Sequence, residues 1–165
     1  MPELPSSVRI QPCLLDRLMD EAPAERLESR LQRVMSSTSF RECVRRDIGD
    51  LLNTHSRLSR DEAAAFPRAA QSVLNYGMRD LSGAGLTALE WAELERHLAS
   101  VLRTFEPRLI PHTVQVRAAA TETGADSPTR ISFEIRANLW SRPAPEAWFL
   151  KTEIDLESGA AAVSH

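Results

Sequence analysis

The apolar positions of the second half of the chain change period once, and the change divides it. Trp91, Leu94, Leu98, Val101, Leu102 and Phe105 recur at three- and four-residue spacing, which puts them on one face of an amphipathic helix. Glu93, Glu95, Arg96 and Arg103 fall on the opposite face, with His97 on the exposed side of the stripe. Thr87-Ala88-Leu89-Glu90 reads as the capping box that opens this helix. Beyond Phe105 the period drops to two. Val114 and Val116 alternate with Thr113, Gln115 and Arg117, and after a polar turn Ile131, Phe133, Ile135, Ala137 and Leu139 alternate strictly with Ser132, Glu134, Arg136 and Asn138. Trp148, Leu150, Thr152, Ile154 and Leu156 form a third strand, and residues 160–163 a short fourth. Such alternation belongs to antiparallel strands buried on one face. The predicted fold class is α+β: N-terminal helices followed by a small antiparallel sheet packed against one long amphipathic helix.

The first half is helical and less regular. Leu14, Leu15, Leu18 and Met19 make a short apolar stripe that Pro23 interrupts, and Leu27, Leu31 and Val34 make another. Isolated helices of this length are marginal in water, so residues 1–38 either dock on the main domain or form a partner-binding arm. Ser36 to Ser39 reads as a linker. Ser39-Phe40-Arg41-Glu42 then opens a helix as a capping box and starts the domain proper, residues 39–165. Val44, Ile48, Leu51, Leu52 and His55 share its apolar face. A second cap at Ser59 with Glu62, a helix start at Pro67, apolar contact from Val73, Leu74 and Tyr76, and a left-handed stop at Gly77 complete this half.

The switch of period falls at Phe105-Glu106-Pro107-Arg108-Leu109. Pro107 lacks an N–H and ends the helix, and it drives Glu106 towards an extended conformation. Glu106 and Arg108, two apart on an extended backbone, project to one side. A carboxylate suits the negative end of a helix poorly. Glu106 therefore needs a cation, and Arg108 is the nearest.

Composition narrows the function more by exclusion. The chain of 165 residues carries a net charge of −3, with 42% hydrophobic and 26% charged residues. That fits a soluble globular protein in the cytoplasm, with no electrostatic case for nucleic acid. Two cysteines, Cys13 and Cys43, lack metal-like spacing, and no apolar run reaches membrane-spanning length. Gly83-Ala84-Gly85-Leu86-Thr87-Ala88 matches a loose dinucleotide pattern, but no strand precedes it. The histidines at 55, 97, 112 and 165 have no metal spacing, and neither metal nor cofactor is called for. A glycosidase needs two carboxylates with one kept protonated; an arginine beside Glu106 favours the ionised form instead. The sequence offers no catalytic residue.

Four segments together resemble the TssE family of type VI secretion baseplate subunits, itself similar to the wedge protein that initiates the sheath in contractile-tail phages. They are Cys13-Leu14-Leu15-Asp16-Arg17-Leu18, Val44-Arg45-Arg46-Asp47-Ile48 with Leu51-Leu52-Asn53-Thr54, Ser72-Val73-Leu74-Asn75-Tyr76-Gly77 with Asp80-Leu81-Ser82-Gly83, and Phe105-Glu106-Pro107-Arg108-Leu109. Met78-Arg79 stands where the family commonly has Leu-Pro. The resemblance implies a structural protein that joins a wedge with TssF, TssG and TssK and starts the TssB–TssC sheath. It implies no enzyme activity and no direct membrane insertion, with assembly at the cytoplasmic side of the inner membrane. Glu106, Pro107 and Arg108 become a signature, acting as a corner brace or a sheath contact. Leu14, Leu15, Arg17 and Leu18 become a wedge-contact arm, and Phe149, Lys151 and Glu153 a sheath-facing edge strand. A lysozyme-like hydrolase and an unrelated cytosolic adaptor are the competing readings.

Overall fold

Strict alternation in the C-terminal third builds a four-stranded antiparallel meander. In a computed structural model, the described residues are 10, 12–13, 16, 18, 35–81, 88–119, 130–141 and 144–164. Strands β1 (Gln115–Ala119), β2 (Arg130–Leu139), β3 (Glu146–Asp155) and β4 (Ala161–Ser164) lie in the order β1-β2-β3-β4. The register sets Ile131 opposite Ile154, Phe133 opposite Thr152 and Ile135 opposite Leu150, all on one buried face. The other face carries Arg117, Glu134 and Lys151 in one row. A one-residue slip would exchange the two faces, so burial fixes the pairing.

Two helices cover the inner face. Helix α1 (Ser37–Leu52) buries Phe40, Val44, Ile48, Leu51 and Leu52 and packs against β4. Two short helices follow, α2 (Arg60–Ala65) and α3 (Pro67–Ala70), then a 3-10 turn at Val73–Asn75. Helix α4 (Ala88–Phe105) packs against β1. Its Leu94, Leu98, Val101 and Leu102 join the sheet residues and the α1 stripe in one core. Fully burying each such leucine contributes about 1.5–3 kcal/mol. The helical cover is therefore shared by α1 and α4.

Several local expectations are corrected. Helix α1 starts two residues before Ser39. Ser36 is its N-cap, with its Oγ accepting the Ser39 N–H at 3.0 Å, so the supposed linker is the first helical turn. Rival hydroxyls in a row left the choice of cap to tertiary packing. His55 lies beyond the helix end and is exposed. Val73 and Leu74 make little apolar contact and stand 82% and 74% exposed. His97 is half-buried, and its Nε2 accepts the Arg79 N–H at 3.4 Å. Arg103 is exposed as expected, and it also donates to the carbonyls of Pro111 and Val114 at 3.1 and 2.8 Å. The capping box at Ser59 with Glu62 and the proline start of α3 are present. The Thr87 cap, the glycine pattern at 83–85, His165, and Leu14, Leu15 and Arg17 lie outside the described residues.

Gly77 has φ +119°, and a Cβ there would sit 2.3 Å from the Thr54 carbonyl oxygen. The close approach has a cause. Met78 N–H donates to Thr54 at 2.7 Å and Ser56 N–H donates to Met78 at 2.7 Å, stitching the loop after α1 to the strand-like segment after Tyr76.

Candidate functional site

The helix-to-sheet corner is the most densely bonded polar feature of the described fold. Helix α4 runs to Phe105, and the Glu106 N–H still bonds to Leu102 at 3.0 Å. Pro107 then breaks the ladder. The Glu106 carboxylate folds back and accepts the Arg108 N–H at 3.0 Å, a local side-chain turn that replaces the missing helical bond. Past the corner, Leu109 bridges to Leu139, with Ile110 N–H donating to Asn138 at 2.8 Å and Trp140 N–H to Arg108 at 2.7 Å. The corner thus extends the end of β2 by a short paired segment.

Its side chains carry a charge network. Glu106 is buried, 3% exposed. Arg108 Nε donates to Glu106 Oε1 at 2.7 Å and its Nη2 to Glu106 Oε2, a bidentate fork. The same Nη2 donates to Asp47 Oδ2 of α1 at 2.8 Å. Asp47 Oδ1 accepts Arg46 Nε at 2.9 Å and Nη2 at 2.8 Å. Arg46 Nη1 pairs with Asp16 Oδ1 at 2.8 Å, and Asp16 Oδ2 accepts the Cys13 thiol at 2.8 Å. Alternating charges therefore link α4, the corner, α1 and the N-terminal segment.

Electrostatics follow from that alternation. Burial works against the Arg108 cation, but the hydrogen bonds and charge of Glu106 and Asp47 outweigh it and raise its pKa. The hydrogen bond from Arg46, with that from Cys13, lowers the Asp16 pKa. Burial and the Asp16 charge push the Cys43 thiol up. Both cysteines are free and half-buried. Beside the network, Tyr76 meets Phe105 edge-on with centroids 5.4 Å apart. The group alternates two arginines with three carboxylates, an arrangement suited to holding elements in place.

Of the predicted site residues, Glu106, Pro107 and Arg108 come together as one corner. Leu18 is exposed, 73%. Phe149 lies on the outer sheet face, where the Arg136 guanidinium sits 5.7 Å from its ring centre. The edge-strand expectation needs correction: β3 lies between β2 and β4, and Lys151 and Glu153 are paired to Ser164 and Ala162. Only the Glu146–Leu150 half of β3 lacks a strand on that side among the described residues. Asp47 was missed as a partner of the signature. It lies 61 residues from Arg108, and its only sequence signal was an acid beside Arg46 in the second quoted segment.

The sheet edges are also occupied. Asn53, which caps the end of α1, receives the Ala161 N–H at 2.9 Å and donates to the Ala161 carbonyl at 2.8 Å, and Arg45 of α1 donates to the Val163 carbonyl at 3.1 Å. At the other edge, Glu95 of α4 accepts the Ala118 N–H at 2.7 Å and Arg103 holds the Val114 carbonyl at 2.8 Å. Helix side chains thus stand in for neighbouring strands.

This is the frame of a small structural module in which helices brace a single-faced sheet, and the comparison with known families agrees. The chain belongs to the baseplate wedge protein gp25 family, which is the TssE family: the family model covers residues 38–144, from the first turn of α1 to the β2–β3 connection. The family is a structural one, of phage-type and secretion-system baseplates. No curated protein and no solved structure matches the chain. No helix among the described residues is long and apolar enough to cross a membrane.

Proposed function

We propose that this chain is the type VI secretion baseplate subunit that joins the wedge of TssF, TssG and TssK and provides the platform from which the TssB–TssC sheath polymerises. It works at the cytoplasmic side of the inner membrane. The observation that carries this reading is the family match over residues 38–144, joined to the four TssE-like segments. In this role Glu106, Pro107 and Arg108 are a brace. The carboxylate is buried and its arginine bonds α1 as well as the corner, so the signature sets the angle at which the sheet is presented. The Phe149 half of β3 remains the strand through which the sheet meets the sheath, by main-chain pairing. Residues 1–38, with Leu18 exposed, form the arm that reaches the wedge.

The test is recovery and reconstitution. A tagged full-length chain, expressed in a cell that carries a type VI system, is expected to recover TssF and TssG. Added to purified TssB–TssC with the wedge, it is expected to shorten the lag of sheath assembly. Failure to recover either wedge subunit, with a folded chain, overturns the secretion reading and leaves the broader baseplate class.

A further inference from the structure

Away from the corner and the sheet, a cleft opens between the start of α2, the segment after Tyr76 and the first turns of α4. Arg60, Arg79 and Arg96 line it with His97, Asn75 and Glu93. Glu93 is its acidic member and pairs with Arg60 at 2.6 Å at the rim. Arg96 Nε bonds the Ala92 carbonyl at 3.1 Å. The Arg79 guanidinium has no hydrogen-bond or ion-pair partner among the described residues. His97 adds no charge: burial, with the charges of Arg79 and Arg60, holds its pKa down to about 4. The cleft is thus a concave cationic site with one arginine unused.

The segments that flank it carry three exposed apolar side chains. Phe66, Val73 and Leu74 are 63%, 82% and 74% exposed. They adjoin the cleft through the chain itself. Phe66 closes α2, whose first residue is Arg60, about 9 Å away at helical rise. Val73 and Leu74 precede Asn75, which is locked in place by accepting the Leu58 N–H at 3.0 Å and donating to the Ala70 carbonyl at 3.2 Å. Such side chains contribute nothing to this fold's core, and exposed apolar groups beside a charged pocket mark an interaction site.

We infer that this surface takes an acidic amphipathic segment of a partner protein, its Asp or Glu entering the Arg79–Arg96 cleft and its apolar side chains covering Phe66, Val73 and Leu74. Charge complementarity chooses the occupant. An arginine cluster in a cleft recognises carboxylate through directed donors. A lipid surface instead requires a broad block of 4–8 cations. Here Arg57, Arg60, Arg68, Arg79 and Arg96 are interspersed with Asp61, Glu62, Asp80 and Glu93, so the positive charge is concentrated at the cleft and no broad cationic block forms. The surface is separate from the sheath platform and stands whether or not that reading holds.

The experiment places a photo-crosslinking amino acid at position 74 of the full-length chain in its own cells and sequences the adduct. The expected adduct is a peptide of another protein with acidic residues at helical spacing from Leu, Ile or Phe. Its yield should fall roughly tenfold in Arg79→Glu and recover when the partner's acid is changed to arginine. Val73→Ser, a change at an exposed position, should lower the yield without moving the melting temperature, which covers the case in which Arg79→Glu fails to fold. An adduct without acidic residues, one insensitive to Arg79→Glu, a second copy of this chain, or no protein adduct overturns the inference. So does sedimentation of the wild type with vesicles of anionic lipid that Arg79→Glu abolishes.

Discussion

Replacing Arg108 with alanine tests the corner as a brace. The substitution removes three side-chain hydrogen bonds, two to Glu106 and one to Asp47. Asp47 keeps Arg46 as a partner, so its loss is small. Glu106 is left with a side chain 4% exposed and, among the described residues, only the backbone N–H of residue 108 as donor. Orphaning a buried charge in this way costs about 3–5 kcal/mol, a large part of the 5–15 kcal/mol that holds a typical domain folded. At roughly 2–4 °C per kcal/mol for a chain of this size, thermal unfolding followed by circular dichroism should drop by roughly 6–20 °C. The double variant Glu106→Gln with Arg108→Met removes both charges and keeps an amide to accept the residue 108 N–H, so it should melt higher than Arg108→Ala alone. An Arg108→Ala melting point within ~2 °C of wild type would refute the brace. A double variant no better than the single would refute the orphaned-charge explanation.

Other outcomes are as definite. Gly77→Ala forces a Cβ onto the Thr54 carbonyl at a positive φ and should destabilise by more than ~1 kcal/mol, read by urea denaturation. Thr152 is fully buried and its hydroxyl has no partner among the described residues, so Thr152→Val should raise stability by ~1 kcal/mol, and a loss would show that the hydroxyl is bonded. His97 takes its proton near pH 6.5 in the unfolded chain but near 4 in the folded one. The unfolded chain therefore binds more protons between these values, and stability falls as pH drops through that window, by up to ~2–3 kcal/mol. His97→Gln should flatten the pH dependence of the melting temperature there, and an unchanged slope would sink the assignment.

What could be read from the chain divides by range. The strands and α4 were legible because Ile131 to Leu139 and Leu94 to Leu102 repeat with one period over many residues, and their faces meet in one core. The Glu106–Arg108 pair was legible because two residues on a bent backbone have little freedom to miss each other. Asp47 was not, since only the packing of α1 beside the corner brings it within reach. Val73 and Leu74 misled because a short apolar pair carries no period, and hydrophobicity alone does not say which way a side chain points. Met78 and Leu81 are buried while their apolar neighbours on the 3-10 turn are exposed, and Met78 is held there by its main-chain bonds to Thr54 and Ser56.

The side chains parked along both sheet rims have a bearing on colloidal behaviour. An open rim of unpaired main chain is a template for copies of the same molecule and leads towards fibres. Asn53 and Arg45 on one side, and Glu95 and Arg103 on the other, withdraw part of that template from circulation. Among the described residues, the Glu146–Leu150 half of β3 is the stretch still open to such stacking. Substitutions at these four positions should be judged by light scattering as well as by melting temperature, because a variant can remain folded and still lose its solubility.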